Sequence, residues 1–440
     1  MNQIEQLLTK KNINRIAIPS IFAGIAEPFL SLTDLVIIGQ VEFNSVEVLA
    51  AVGVVGSFIS AIVWILAQSK TAISTTVAQF SNPDTIDDAK ALFPQLVLVN
   101  ILVCVFILVV TIPFSRTLFN WYSVEGLTLN YATDYYNIRA LGIPLTLLTF
   151  SIFGVYRGLQ NTIWAMYISI GGGLLNVGLD YVFIHGIDGW FPALHIKGAA
   201  YASLISQSAM LIAAFWILYT KTEFRFKFKM PFHPRLKELL LFSANLFVRT
   251  LTLNVVIYIT NKLAAELGNV ELATHTILLN IWLFTCFFID GYSNAANAIS
   301  GKLVALNGRQ YISSFWVSIF KYSLVLSCIC ALLIYFFRTP MVKLFTHDSL
   351  VIEQFVGVSV VLILIQFLNG FAFSLDGLGK GLGEGKALRN SLLIATVFAF
   401  VPGLICLYPL NIGLFSIWIP FLLWMLSRGV YLYFKLIYKT

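Results

Sequence analysis

The chain is 440 residues long, 58% of them apolar and 15% aromatic, with only 11% charged. An ordinary globular chain carries about 25% charged residues, so the composition excludes a sizeable water-soluble domain and points to a protein surrounded by lipid. The net charge of +7 would suggest nucleic acid in a soluble protein, but here the basic residues lie between apolar stretches, and no nucleic-acid partner is expected.

A membrane helix needs about 20 mostly apolar residues. Twelve stretches meet that need: 13–39, 47–79, 91–113, 132–157, 162–184, 197–219, 237–262, 271–300, 312–337, 350–379, 390–407 and 411–434. The first contains Pro19, Glu27, Pro28 and Asp34 and ends without a small-x-small cleavage site, so it reads as a spanning helix rather than a cleaved signal. The second carries Lys70 in the run Gln68-Ser69-Lys70-Thr71-Ala72, either snorkelling to the headgroups or facing a cavity. Arg139 lies in the fourth, and the fifth holds Gly171-Gly172-Gly173, suited to close helix packing, followed by Asn176 and Asp180. The longest polar connection runs from Lys221 to Lys237 and is rich in Lys and Arg. It is expected to be a loop against anionic headgroups.

Arg249 stands in the seventh stretch, Asp290 with Asn294 and Asn297 in the eighth, and Asp376 near the end of the tenth. The glycines that follow, Gly379, Gly381 and Gly383, lack the strand and helix that a nucleotide-binding fingerprint requires. No phosphate loop is present, and no cofactor is expected. The cysteines Cys104, Cys286, Cys328, Cys330 and Cys406 all fall inside apolar stretches and read as buried free thiols. His185, His195, His233, His275 and His347 are scattered without metal-ligand spacing, so neither a metal site nor an enzyme is predicted.

Basic residues collect before the first helix, in the Lys221–Lys237 connection, after the tenth stretch at Lys380 and after the last helix, and the positive-inside rule then places both termini in the cytoplasm. The chain is expected to be a multi-pass protein of the bacterial inner membrane, and a monomer.

Sliding the sequence against itself gives one register, near 223 residues, that works in several places. Leu49-Ala50-Ala51 meets Leu272-Ala273-Thr274, and Arg157-Gly158-Leu159 meets Lys380-Gly381-Leu382. Six helices separate the copies, an even number, so the fold class expected is an all-α polytopic membrane protein of twelve transmembrane helices in two six-helix lobes related by a parallel pseudo-two-fold repeat. The boundaries expected are 1–220, a cytoplasmic basic linker 221–237, and 238–440. That architecture is used by rocking transporters, which bind small-molecule substrates between the repeats.

Ionisable residues inside a bilayer cost at least about 2.5 kcal/mol each and mark functional sites unless they pair. Asp34 and Asp180 fall at nearly the same depth on two helices running outward, with Asn176 one turn before Asp180. They form either an oxygen-rich pocket for a proton or a hard cation such as Na⁺, or caps at outer helix ends. In the second lobe Arg249, Asp290 and Asp376 are the candidates for a charged cavity; Arg249 with Asp290 reads equally as a structural ion pair or as a transport group, and Asp376, close to its helix end, reads alternatively as holding the glycine-rich loop that follows. Glu27, Lys70 and Arg139 are candidate intramembrane partners.

The run Ala26-Glu27-Pro28 through Asp34 to Gly39, the Leu49-Ala-Ala-Val-Gly53 opening, and the stretch from Gly198 through Ser203 to Gln207 carry a family likeness. So do Leu246-Phe-Val-Arg249-Thr250, Asp290-Gly291, Leu375-Asp376-Gly377 and Arg389-Asn390. Together they resemble the MATE (multidrug and toxic compound extrusion) transporters, DinF-like branch, over nearly the whole chain. The resemblance implies efflux of organic cations or amphipathic compounds in exchange for H⁺ or Na⁺ by alternating access. It implies that Asp34, Asn176 and Asp180 form the first-lobe coupling site, with Ser203 where relatives often carry Thr, and that Asp376 matches a second-lobe coupling position. A lipid-linked saccharide flippase of the same superfamily is the alternative, kept open by Lys70, Arg139 and Arg249.

Overall fold

The computed structural model describes residues 3–39, 45–122, 124–187, 192–228 and 230–438, with side chains for all of these except 26–36, 38–39 and 45–46. Among the described residues twelve long helical elements follow one another: α1 (Lys10–Gly39), α2 (Ser45–Leu66 with Gln68–Gln79), α3 (Ile86–Thr111), α4 (Gly126–Arg139 with Gly142–Gly158), α5 (Ile163–His185), α6 (His195–Lys221), α7 (Leu236–Leu267), α8 (Asn269–Ala305), α9 (Ile312–Lys343), α10 (Ser349–Gly381), α11 (Gly385–Ala395, then Thr396–Phe400 and Val401–Leu407) and α12 (Phe415–Tyr433). The protein is an all-α, multi-span membrane protein. Every spanning element being a helix follows from lipid chemistry, because a backbone amide in hydrocarbon must find its partner within its own segment.

Prolines shape several of these rods. Pro144 cannot donate to Ala140 and its ring crowds that carbonyl, so α4 breaks there and bends by 42°. The amide of Ile143 takes the Ala140 carbonyl instead, at 3.0 Å. The stretch 132–157, expected as one spanning helix, falls on the two arms of this bent pair. Pro402 likewise leaves the Phe398 carbonyl without its usual donor, and the turn just before it, Thr396–Phe400, widens into a π-helix. At the other extreme α10 begins cleanly: Asp348 Oδ1 accepts from the amides of Leu350 at 2.8 Å and Val351 at 3.2 Å.

The chain folds into two compact units, one from Phe22 to Leu240 and one joining Leu241 onward to the first residues as far as Ile21. In the first unit α2 packs on α4 and α5 on α6. Its outward faces are apolar: Leu102, Phe106 and Val109 of α3 are exposed, as a lipid-facing surface requires. The connection after α6 has no regular structure among its described residues until Leu236. It is tied down inside this unit by Lys90 Nζ to Glu223 at 2.6 Å and by His233 N donating to Gln95 Oε1 at 3.0 Å.

In the second unit α10 is central, packed on α8, α9 and α12. Trp282, Phe421 and Trp424 form its aromatic core, with Trp282 edge-on to Phe421 at 4.9 Å. The indole of Trp424 donates to Thr396 Oγ1 at 3.0 Å, which fixes the widened turn of α11. Cys104, Cys286 and Cys330 are buried free thiols, whereas Cys328 is half-buried and Cys406 exposed.

Each unit contains the same seam. On α4, a Cβ added to Gly154 would lie 2.7 Å from the Lys70 carbonyl, and one on Gly158 would lie 2.8 Å from the Ser74 carbonyl. On α10, a Cβ on Gly377 would collide with the Ser293 carbonyl and one on Gly381 with the Asn297 carbonyl. All four pairs correspond at an offset of 223 residues. Glycines four apart let two backbones approach where hydrophobic force between helices is lacking, so the repeat seen in the sequence is a repeated helix–helix contact.

Candidate functional site

The first unit buries a carboxylate. Asp180 on α5 is wholly inaccessible and accepts from Asn176 Nδ2 at 3.0 Å, one helical turn away. An i, i+4 pair on one face can hold this geometry without help from tertiary structure. Ser203 on α6 is buried, and its hydroxyl has no hydrogen-bond partner among the described residues. The side chains of Glu27 and Asp34 lie outside the described residues. Lys70 on α2 sits over the rings of Phe150 and Phe153 on α4, 4.8 and 5.5 Å from their centroids. A cation above two aromatic faces is held electrostatically as well as by packing. Arg139 is half-buried at the last turn before the α4 break.

The second unit holds a larger polar cluster, and its pairing differs from the sequence expectation. Arg249 on α7 does not pair with Asp290; its Nη2 lies 2.6 Å from Asp376 Oδ2 on α10. Asp376 is fully buried and also receives Lys380 Nζ at 3.1 Å, an i, i+4 partner on its own helix. Its second oxygen faces Arg428 Nη2 of α12 at 3.1 Å. That ion pair is close but off line for a hydrogen bond: neither Arg428 Nη2 nor Asp376 Oδ1 has a hydrogen-bond partner among the described residues. Asp290 turns to Asn294 Nδ2 at 3.2 Å and to Lys380 at 3.9 Å. Asp376 therefore stands at the hub of the cluster rather than at the edge of the glycine-rich turn.

Two further members of the cluster are not singled out from the sequence. Lys380 reads there as a cytoplasmic topology charge, yet its side chain is only 10% exposed. Arg428, in the run Trp424-Met-Leu-Ser-Arg428-Gly429, does carry a signal that could find it, since an arginine more than three turns inside an apolar segment is costly unless it pairs. It is 2% exposed, its Nη1 lies 3.9 Å from the Met425 sulfur, and its guanidinium carbon is 5.1 Å from the Phe373 centroid.

Two buried polar sites of unlike character result: one carboxylate with an amide in the first unit, and one carboxylate shared by three cations in the second. The first suits a cation or a proton, because its formal charge is negative. The second is positive on balance.

Comparison with known proteins gives a consistent picture. The family model described as MatE matches residues 19–182 and again 246–405, once in each half of the chain. Protein DETOXIFICATION 44, chloroplastic, from Arabidopsis thaliana is 25% identical over 95% of this chain and 80% of its own length. DNA damage-inducible protein F from Escherichia coli K12 is 22% identical over 96% of this chain and 90% of its own. A solved MOP-superfamily transporter from Pyrococcus furiosus, whose binding pocket is described as having reverse polarity, superposes with a TM-score of 0.87. That likeness spans 99% of this chain and 97% of the other at 19% identity, and it carries the fold.

Proposed function

The chain belongs to the MatE family of transporters, and from that premise we propose that it is a secondary active antiporter exporting organic cations or amphipathic toxic compounds in exchange for H⁺ or Na⁺. The observation that carries this reading is the buried Asn176–Asp180 pair. A carboxylate in hydrocarbon is stabilised by binding a proton or a cation and destabilised when left bare. Occupation by the ion then favours one conformation over another, and alternating access follows from that difference in affinity. Asp34 is the proposed partner of Asp180, with Asn176 and Ser203 supplying neutral oxygens to a Na⁺ or to the shared proton.

The energy available is set by the gradient: about 1.4 kcal/mol per pH unit and about 2.3 kcal/mol per charge for each 100 mV. One-for-one exchange of H⁺ for a monovalent cation uses only the pH part, because the charges cancel. The protein is proposed to act as a monomer in the bacterial inner membrane with both termini cytoplasmic.

The test is efflux of a fluorescent organic cation from proteoliposomes under a pH gradient and, separately, under a Na⁺ gradient. Asp180→Asn and Asp34→Asn are each expected to abolish gradient-driven export while inserting normally, and whichever gradient drives the wild type names the ion. Unimpaired export by both variants would refute the assignment. The second reading, a lipid-linked saccharide flippase, is favoured by the buried cations Arg249, Lys380 and Arg428. It predicts scrambling of a pyrophosphate-linked lipid with no export of organic cations under either gradient.

A further inference from the structure

We propose that the second unit contains a binding site for a small anion, formed by the guanidinium groups of Arg249 and Arg428. This inference stands apart from the antiport reading: it requires neither the coupling ion nor the direction of transport.

The argument starts from donors and acceptors. Lys380 bridges two carboxylates, Asp376 at 3.1 Å and Asp290 at 3.9 Å. The two arginines, at 8% and 2% exposure, share Asp376 as their one carboxylate among the described residues. A guanidinium presents five N–H donors in a planar fork and stays charged even when buried. Asp376 Oδ2 is already occupied by Arg249 and Lys380. Arg249 Nε, Arg428 Nε and Arg428 Nη2 are all inaccessible and make no hydrogen bond among the described residues.

Buried donors on charged groups are almost always satisfied. Besides Asp376 Oδ1 at 3.1 Å, Arg428 meets a thioether sulfur and an aromatic face, Met425 and Phe373, both poor acceptors. Two buried positive charges against one negative, with two Nε–H groups unmet and Arg428 Nη2 facing only the shared Asp376, define the complement: a compact anion carrying oxygen or halide acceptors. Arginine forks match a carboxylate through paired N–H bonds. Two sources share this chemistry, the carboxylate of a transported organic acid and a resident chloride. Asp290 is the member of the cluster most open to solvent, its side chain 34% exposed, and it marks the side of approach.

The same geometry gives Asp376 a second role as the internal competitor. Its carboxylate holds the arginines in place of the anion, so removing its charge should strengthen anion binding, whereas a purely structural ion pair would gain nothing from that change.

The experiment uses the full-length protein purified in detergent at pH 7 in HEPES, whose bulky sulfonate serves as reference anion. Chloride and succinate are titrated separately while the fluorescence of the tryptophans, among them Trp424 one turn from Arg428, is followed alongside the thermal midpoint. Saturable binding by the wild type is expected. It should weaken about tenfold in Arg428→Lys, which keeps the charge but loses the fork, and strengthen in Asp376→Asn. Arg249→Lys is the second fork variant should Arg428→Lys fail to fold. Chloride and succinate acting alike would identify a resident inorganic ion, and succinate acting alone an organic acid. No saturable response to either anion, or the same response in wild type and all variants, would overturn the proposal.

Discussion

Gly377→Ala is the sharpest test of the seam between α8 and α10. A methyl at this position would meet the Ser293 carbonyl oxygen far inside contact distance and both the Ser293 Cα and carbonyl carbon at 2.7 Å. All three are backbone atoms of a helix that is buried along this stretch, so no side chain can rotate away. Restoring ordinary carbon–carbon separation of about 3.5 Å requires the two helices to part by roughly 1 Å. Overpacking of that kind costs about 1–3 kcal/mol where side chains can adjust, and a rigid backbone neighbour places this variant at the upper end. The assay is the thermal midpoint of the purified protein, read beside Gly171→Ala on α5. Gly171 has no described atom within 4 Å of its Cβ position, and removing a helical glycine there should stabilise by up to about 1 kcal/mol. Opposite signs for the two substitutions are expected. An unchanged midpoint in Gly377→Ala would refute the idea that close backbone approach holds the seam.

Two further predictions concern the second unit. His275 is 1% exposed, rests on Trp418 with ring centroids 5.7 Å apart, and neither ring nitrogen has a hydrogen-bond partner among the described residues. His275→Phe should keep the ring contact, remove two unmet polar atoms and raise the midpoint by the equivalent of about 1 kcal/mol; a lower midpoint would mean that the nitrogens do find partners. Trp282 fills the aromatic core at 2% exposure, and Trp282→Ala should cost about 3–5 kcal/mol, visible as loss of monodisperse protein in detergent chromatography.

Spans and repeat are legible in the sequence because each rests on a pattern that lipid enforces: unbroken apolar runs of fixed length, and glycines where two helices touch. The bend in α4 is within reach, since Pro144 stands in the sequence, but a proline marks only where a helix can bend and not by how much. The partner of Arg249 is hidden for a different reason. Depth along a helix axis can be read from residue counts, and Asp290 and Asp376 both qualify as partners; which one Arg249 meets depends on helix rotation, settled by the seam that presses α10 against α8. Lys380 lies at a segment end, where lysine usually reaches water, and only the packing around it reveals that it is enclosed, whereas Arg428 lies well inside its segment and can be read as needing a partner but not as meeting Asp376. Asp180 and Asn176 can be identified as neighbours because they share one turn, which needs no tertiary knowledge.

The glycine seams also bear on ancestry. At the shared offset, Gly154 and Gly158 answer to Gly377 and Gly381, but Asp180 answers to Gly403, Asn176 to Ala399, Asp376 to Phe153, Arg428 to Ile205 and Arg249 to Ala26. Of the buried charges only Lys380 has a charged counterpart, Arg157, which is buried as well. The duplication left a scaffold and one shared basic position in both halves, whereas the buried carboxylates and the arginines around Asp376 belong to one half alone, so the protein is symmetric in how it is built and asymmetric in where its buried charges lie.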